Sequence, residues 1–335
     1  MSGGAFMKKR IAIIGAGISG LTLAQHLKDH ADVVVFEKAR GVGGRMSTRY
    51  AEPFYFDHGT QFFTARSKAF QRFIAPLIAS GLIAEWKGKV LTFQADNTVK
   101  DRLWFEPHYV AVPHMNRLGR HLAEGIDVRL NTEIAPLGEK HAEGWQLVGK
   151  DGTAHDMFDW VISTAPPVQT VNLLKTVLPS DSPLHQIKLQ GCFTLMIGFK
   201  APWTKPWMAA KVHEKPIEWI AVNSSKPGRN KDLTSLVVHS RNNWADEHLE
   251  DDLQQTQQTL VRQVEAVTGI ACDKAEYLSM HRWKYAIVLE NEKKGFHLDP
   301  EKNIAATGDW VSASRIEDVW LNAASLAKAI VEKIT

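Results

Sequence analysis

Gly15-Ala16-Gly17-Ile18-Ser19-Gly20 follows a short apolar run, Ile11 to Ile14, and Glu37 closes a second apolar run, Val33 to Phe36. Residues of these types at this spacing can hold a dinucleotide. Gly15 permits a tight turn, Gly17 lets a pyrophosphate approach the backbone, and Gly20 lets the following helix pack on the sheet. The helix N-terminus presents N–H groups and a positive dipole end to phosphate. Glu37, 22 residues after Gly15, stands where a carboxylate accepts hydrogen bonds from an adenosine ribose. Ala16, Ser19 and, after the acid, Lys38 belong to the same candidate set. The set does not say which dinucleotide is bound.

These residues need a strand, a helix and a second strand to position them, and the rest of the chain reads as a frame around that unit. A second glycine segment runs from Lys38 to Met46 and includes Gly43, Gly44 and Arg45. Residues 57–66 lead into a helix from Lys68 to Ser80. Strands are expected at Val90–Gln94 and Arg102–Glu106, then a helix over 113–124. Further strands fall at Val128–Asn131 and Trp145–Val148, the latter followed by an Asp151-Gly152 hairpin turn. Trp160 to Ala165 reads as a strand stopped by Pro166-Pro167, a natural place for the chain to cross between domains. From about residue 184, alternating stretches (Cys192–Phe199, Ile217–Val222, Leu236–Ser240) predict an antiparallel sheet, followed by an amphipathic helix over 246–268. Ile304 to Asp309 reads as a strand ending in Gly308-Asp309, and Glu317 to Ile334 as the last helix. The fold class is α/β: a Rossmann-like dinucleotide domain from 8–66, 107–167 and 286–335, and a substrate domain of antiparallel sheet plus helices from 67–106 and 168–285. Residues 1–7 read as a disordered leader, with Met7 a candidate start.

Bulk properties narrow the partners. The chain has 335 residues, more than one core usually holds. Its 40 Lys and Arg against 37 Asp and Glu leave no basic footprint for nucleic acid. Cys192 and Cys272 lack CxxC spacing and suit a reducing compartment. Lys8-Lys9-Arg10 before an apolar stretch imitates a secretory signal, but the stretch carries the glycine motif and is too short to span a bilayer. A cytoplasmic protein without membrane attachment is expected. His26 and His30 share a helix face without the acid of a metalloprotease, and no zinc set, GxSxG or P-loop is present; no metal is expected. The 11 tryptophans fill a core or wall an aromatic ligand pocket.

Three segments together resemble one superfamily, and three more narrow it to a branch. The glycine motif with Glu37, Gly43-Gly44-Arg45-Met46, and Thr307-Gly308-Asp309-Trp310 before a helix look like the flavin amine oxidases. Asp57-His58-Gly59-Thr60-Gln61-Phe62-Phe63-Thr64-Ala65-Arg66, residues 219–227 (Trp-Ile-Ala-Val-Asn-Ser-Ser-Lys-Pro) and His281-Arg282-Trp283-Lys284-Tyr285-Ala286 resemble the bacterial renalase branch, and the similarity spans roughly 8–331. The resemblance implies a p-hydroxybenzoate-hydroxylase/amine-oxidase type of FAD domain and FAD as the resident dinucleotide. FAD would be non-covalent, since no cysteine follows Cys272. It places Gly44, Arg45 and Met46 beside the pyrophosphate, Ile134 at the adenine, and Asp309 at the ribitol. Gln61 and Phe62 fall against the isoalloxazine, and Glu317 and Val319 at a helix N-terminus facing the flavin. Where the resemblance expects glycine, this chain has Asp318, a carboxylate that either faces solvent or acts on the ring.

The resemblance also implies a reaction: oxidation of 2- or 6-dihydro-NAD(P) to NAD(P)+, with dioxygen as acceptor and hydrogen peroxide as product. Such a substrate becomes aromatic on losing hydride, so orientation in a dry pocket matters more than a strong base. Trp283 and Tyr285 are candidates for the pocket wall, or are core. His239 and Asn223 suit a carboxamide, or serve as structural groups. Gln61 joins this catalytic set, and Lys226 and Arg282 could meet substrate phosphates. Alternatives are a flavin-dependent amine oxidase, a desaturase or isomerase of an apolar substrate, and a non-catalytic flavoprotein. No apolar surface segment of the kind the desaturase reading needs is visible.

Overall fold

The computed structural model describes residues 8–289 and 295–335. The expected leader, Met7 included, lies outside the described residues. The chain divides into two units: one of residues up to Gly44, Gly119–Lys188 and Val288–Thr335, the other of Arg45–Leu118 and Leu189–Ile287.

The first unit is built on a six-stranded sheet in the order His297–Asp299, Ile304–Ala306, Trp160–Ser163, Arg10–Ile14, Asp32–Phe36, Asp127–Arg129. All neighbours run parallel except the first pair. Ile11, Ala12 and Ile13 are fully buried, as a central parallel strand requires. The helix Ile18–Leu27 connects the two central strands and packs on the last helix, Ile316–Ile334. Strand order reverses at Arg10–Ile14, so the crevice beyond its carboxyl end, at Gly15, is where a doubly wound sheet binds ligands. Trp145–Val148 pairs with Ala154–Phe158 across the expected Asp151-Gly152 turn.

The second unit carries a seven-stranded sheet in the order Tyr277–Val288, Leu189–Phe199, Thr234–Ser240, Ile217–Val222, Ala209–Val212, Val90–Phe93, Val99–Arg102. Its core gathers Phe193, Leu195, Ile197, Ile220, Leu236 and Val238 from the sheet, with Leu260 and Val264 from the helix Leu253–Thr268. The single helix expected over 246–268 is two. Asn242–His248 ends before Asp252, whose side chain caps the N–H groups of Gln254 and Gln255 and starts a new helix. The strand expected at Arg102–Glu106 lies earlier, at Val99–Arg102. The helix over 113–124 narrows to Asn116–Leu122.

The unit boundaries differ from those read in the sequence, for physical reasons. Pro166-Pro167 does not mark the crossing. Pro167 opens a helix, Pro167–Leu173, at the position where a missing N–H costs nothing. Leu173, Leu174, Leu178, Leu184 and Ile187 beyond it join the core of the first unit. Residues 45–66 belong to the second unit, where the hairpin Thr48–Ala51/Phe54–Asp57 is anchored by Phe56 stacking on Tyr277.

Candidate functional site

In the first unit the three glycines of the motif are distinct in what they permit. Gly15 has φ +110°, a conformation other residues resist, and a Cβ there would lie 2.7 Å from Thr164 Oγ1. A Cβ on Gly20 would collide with the Gly15 carbonyl oxygen at 1.9 Å, whereas one on Gly17 would meet nothing within 4 Å. The open space therefore lies in front of Gly17, the N-cap of Ile18–Leu27, which has no side-chain cap. The second glycine segment closes on the first: Gly43 N–H donates to Ala16 O at 2.8 Å, and Gly44 at φ +53° approaches Gly17.

Glu37 is buried and organises this turn. Its Oε2 accepts from Ala16 N–H at 2.7 Å and its Oε1 from Ala39 N–H at 2.8 Å. Each oxygen keeps acceptor capacity for a further donor. Lys38 is exposed and donates to Gln169 Oε1. Ser19 is buried, and its hydroxyl has no hydrogen-bond partner among the described residues. A buried hydroxyl without a partner, a helix start without a cap and an open face at Gly17 suit an anionic group from outside the chain.

The remaining candidates of this unit are also placed. Ile134 is buried and bridges to Gly149. Asp309 follows Gly308 after the strand Ile304–Ala306, is buried, and accepts from Ser314 Oγ at 2.8 Å. Two nearby groups, Thr307 Oγ1 and Trp310 Nε1, are buried without partners among the described residues. The helix Ile316–Ile334 starts without a side-chain cap, with Glu317 and Val319 buried in its first turn. Asp318 pairs with Arg315 at 2.6 Å, its side chain 20% exposed. Its charge is thus matched by a cation from its own helix start.

The second unit contains a group the sequence did not reveal. Asp57 is completely buried, and its Oδ2 accepts from Arg229 at 2.7 Å and Lys226 at 3.2 Å. Its Oδ1 accepts from Thr48 Oγ1 and Met115 N–H. Burial alone would raise this carboxyl; the Lys226 and Arg229 charges and the hydrogen bonds overcome it and hold it well below the usual carboxylate range. Burial pulls Lys226 down to about 8 against the opposing pull of Asp57.

Gln61 is fastened to this network. Its Oε1 accepts from Lys226 Nζ at 3.2 Å, and its Nε2 donates to the Asp57 and Gly59 carbonyls. His239 Nε2 lies 3.4 Å from Gln61 Nε2, so two candidates far apart in sequence meet. Burial, then the Lys226 charge, lower His239 to about 4. Gly59 passes over Arg45, where a Cβ would fall 2.0 Å from the Arg45 carbonyl oxygen. Arg45 donates to the Ala286 carbonyl at 3.1 Å, and Met46 is buried.

Other candidates prove to be engaged within the protein. Asn223 donates to Tyr55 O and accepts from Asp57 N–H, so both polar ends clamp the Phe54–Asp57 strand rather than face a carboxamide. Lys226, read as a phosphate contact, is the buried partner of Asp57, and Arg282 donates to the Leu249 carbonyl. Trp283 stacks on His58 with ring centroids 5.3 Å apart and donates to the His58 carbonyl at 3.1 Å. Tyr285 is half-buried two residues further along the same strand. Phe62 belongs to an aromatic cluster with Trp86, Trp104, His108 and Trp219. Leu103 and Phe105, which flank Trp104, stand 70% and 92% exposed. Trp104, between them, turns into the cluster and leaves these two neighbours outside. No helix among the described residues is long and apolar enough to cross a membrane.

Residues 13–77 match the family model of NAD(P)-binding Rossmann-like domains. Among solved structures, the chain is similar to a protein from Exiguobacterium sp. 255-15 provisionally assigned as a protoporphyrinogen oxidase, with TM-score 0.80 and 14% identity over 97% of this chain and 99% of that one. It is similar to wild-type putrescine oxidase bound to putrescine, with TM-score 0.75, 14% identity and the same two coverages. Cyclohexylamine oxidase from Brevibacterium oxydans IH-35A gives TM-score 0.75 and 13% identity, again over 97% and 99%. At these identities the shared property is the fold: a Rossmann-like dinucleotide domain with a second domain built on a mainly antiparallel sheet.

Proposed function

We propose that the chain is an FAD-dependent oxidase of the renalase type that returns 2- or 6-dihydro-NAD(P) to NAD(P)+. One dihydronicotinamide, one dioxygen and one proton give NAD(P)+ and hydrogen peroxide. The carrying observation is the cradle at Gly17, with its open face, uncapped helix start and partnerless Ser19 hydroxyl. In this reading Gly15, Ala16, Gly17, Ser19 and Gly20 hold the pyrophosphate, and Glu37 and Lys38 the adenosine ribose. Ile134 serves the adenine and Asp309 the ribitol, with Gly44, Arg45, Met46, Phe62, Glu317 and Val319 assigned to the same non-covalent FAD. Bound flavin supplies two-electron chemistry, taking hydride from a dihydropyridine and passing the electrons to dioxygen. We place the protein in the cytoplasm, a reducing compartment that suits its two unpaired cysteines.

The chain's own residues would orient and enclose the reacting ring. His239, held at about 4, is neutral at pH 7 and makes hydrogen bonds rather than accepting a proton there. Gln61, its side-chain amide fastened by Lys226 and two carbonyls, offers a fixed polar neighbour. Such a neutral polar pair suits a carboxamide-bearing ring that loses hydride and no proton. Trp283 and Tyr285 are assigned to the wall.

A flavin-dependent amine oxidase is the second reading, favoured by the fold shared with putrescine oxidase and cyclohexylamine oxidase. Anaerobic mixing of the flavin-loaded protein with dihydronicotinamide isomers and, separately, with amines distinguishes the two. Bleaching of the flavin absorbance by the isomers is expected. Bleaching by amines alone overturns the proposal, and bleaching by neither turns attention to a desaturase, an isomerase or a non-catalytic flavoprotein.

A further inference from the structure

The hairpin of the second unit gathers a guanidinium and two imidazoles that the proposed reaction does not use. In its register Arg49 stands opposite Phe56, and Thr48 opposite Asp57. Thr48 and Asp57 bond each other on one face of the ribbon, so Arg49 and Phe56 take the other. Alternate residues of the strand Tyr277–Val288 meet that face. Tyr277 stacks on Phe56 at 5.2 Å, His281 sets its ring edge against His58 at 5.1 Å, and Trp283 stacks on His58.

The polar atoms there are left incomplete. Arg49 Nε is buried without a partner, and no carboxylate among the described residues pairs with Arg49. His58 is 6% exposed, and its Nδ1 has no hydrogen-bond partner among the described residues, while Nε2 lies 3.3 Å from Ser47 Oγ. The adjacent Asp57 is already committed to Lys226, Arg229, Thr48 and Met115. Burial, then His281 and Arg49, press His58 down to about 4, outweighing the opposite pull of the Phe56 carbonyl and Asp57. His281 is lowered by burial and by Arg49. A buried Arg49 N–H without an acceptor and a buried imidazole nitrogen without a partner, beside the Arg49 charge, are satisfied together by one anion.

We infer that Arg49, His58 and His281 form a binding site for a phosphate-class oxyanion, with Arg49 Nε–H and His58 Nδ1 as its direct donors. His58 Nδ1 donates in the tautomer that carries its hydrogen there, with Nε2 accepting from Ser47 Oγ, and a bound anion favours protonation of both rings. The inference stands on the second unit alone and does not require the flavin reading.

In the test, NMR follows the histidine ring resonances of the full-length protein, as purified, while pH is varied. Inorganic pyrophosphate and NAD+ are added separately, each against chloride at equal ionic strength. The expected result is an upward shift of the His58 and His281 titrations by about one pH unit or more, with His26 and His30 unmoved. A shift with both ligands assigns the site to the diphosphate of a dinucleotide; a shift with pyrophosphate alone assigns it to a free anion. Arg49→Gln should weaken the effect about tenfold or more and Arg49→Lys less, since lysine keeps the charge. If Arg49→Gln does not fold, His281→Asn, at a half-buried ring, should weaken pyrophosphate binding as read at His58. Unmoved His58 and His281 resonances, or full binding in the folded variants, overturn the site. Because the readout is local to these rings, it fails or succeeds independently of flavin bleaching.

Discussion

Lys226 donates to Asp57 at 3.2 Å, and neither side chain is exposed to water. The pair ties the turn at 57–61 to the segment after Ile217–Val222, and through Gln61 it fixes the side chain assigned to substrate. Arg229 completes the balance on the same carboxylate oxygen. One acid thus answers two buried cations, which is why Asp57 stays ionised and Lys226 is held less firmly in its charged form.

Removing the acid should cost far more than removing the lysine. Asp57→Asn leaves Lys226 and Arg229 without a counter-charge, and breaking such a pair costs about 3–5 kcal/mol. Lys226→Met leaves Asp57 still bound by Arg229, Thr48 and Met115, so a smaller loss is expected. Urea denaturation of the two variants and the double variant measures the difference. The ordering fails if Lys226→Met is the more damaging change.

His239 gives a pH dependence with a definite sign. Its folded value, about 4, lies below its ordinary 6.5, so between these limits the unfolded chain binds more protons. Stability therefore rises with pH from about 4 to 6.5 and is fully present above that window, with a slope of up to about 1.4 kcal/mol per pH unit from this one ring. His58 adds a similar contribution. His239→Gln should remove one proton's share of the slope, measured by urea unfolding at a series of pH values; an unchanged slope overturns the assignment.

The dinucleotide cradle is legible in sequence because its parts lie within one strand–helix–strand unit, where spacing alone carries Gly15, Gly17, Gly20 and Glu37 to one crevice. The second unit is not legible in this way. Asp57 meets Lys226 across 169 positions and Trp283 meets His58 across 225, and only the packing of the two-stranded hairpin against the seven-stranded sheet brings them together. Alternation correctly marks Leu236–Ser240 as strand, but it cannot say that His239 faces Gln61. The misplaced boundary at Pro166-Pro167 has a local cause: proline ends a ladder and also opens a helix, and the apolar residues that follow decide which. The boundary at Gly44/Arg45 has no compositional trace, since it falls inside a glycine turn.

Glu37 should be sensitive to loss of charge without loss of shape. Glu37→Gln replaces one acceptor with an N–H2 group that faces a backbone N–H, of Ala16 or of Ala39. A buried donor left in that state costs about 1–3 kcal/mol. Lower thermal stability and reduced retention of bound dinucleotide through gel filtration are both expected. A variant that keeps its full ligand content would remove Glu37 from the cradle.

Gly17 and Gly20, three residues apart, should respond to alanine in opposite ways. A Cβ on Gly20 meets the Gly15 carbonyl at 1.9 Å, so Gly20→Ala must push the helix Ile18–Leu27 from the sheet, at about 1–3 kcal/mol or more. A Cβ on Gly17 meets no protein atom within 4 Å, and its backbone at φ −77° accepts any residue. Gly17→Ala should hold the apoprotein's stability to within about 0.5 kcal/mol, while the added methyl occupies the space that a pyrophosphate needs. Denaturation of the apoprotein reads the first effect, and flavin content after purification reads the second. Gly17→Ala protein that purifies fully yellow would show that the open face at Gly17 is not where the dinucleotide approaches the backbone.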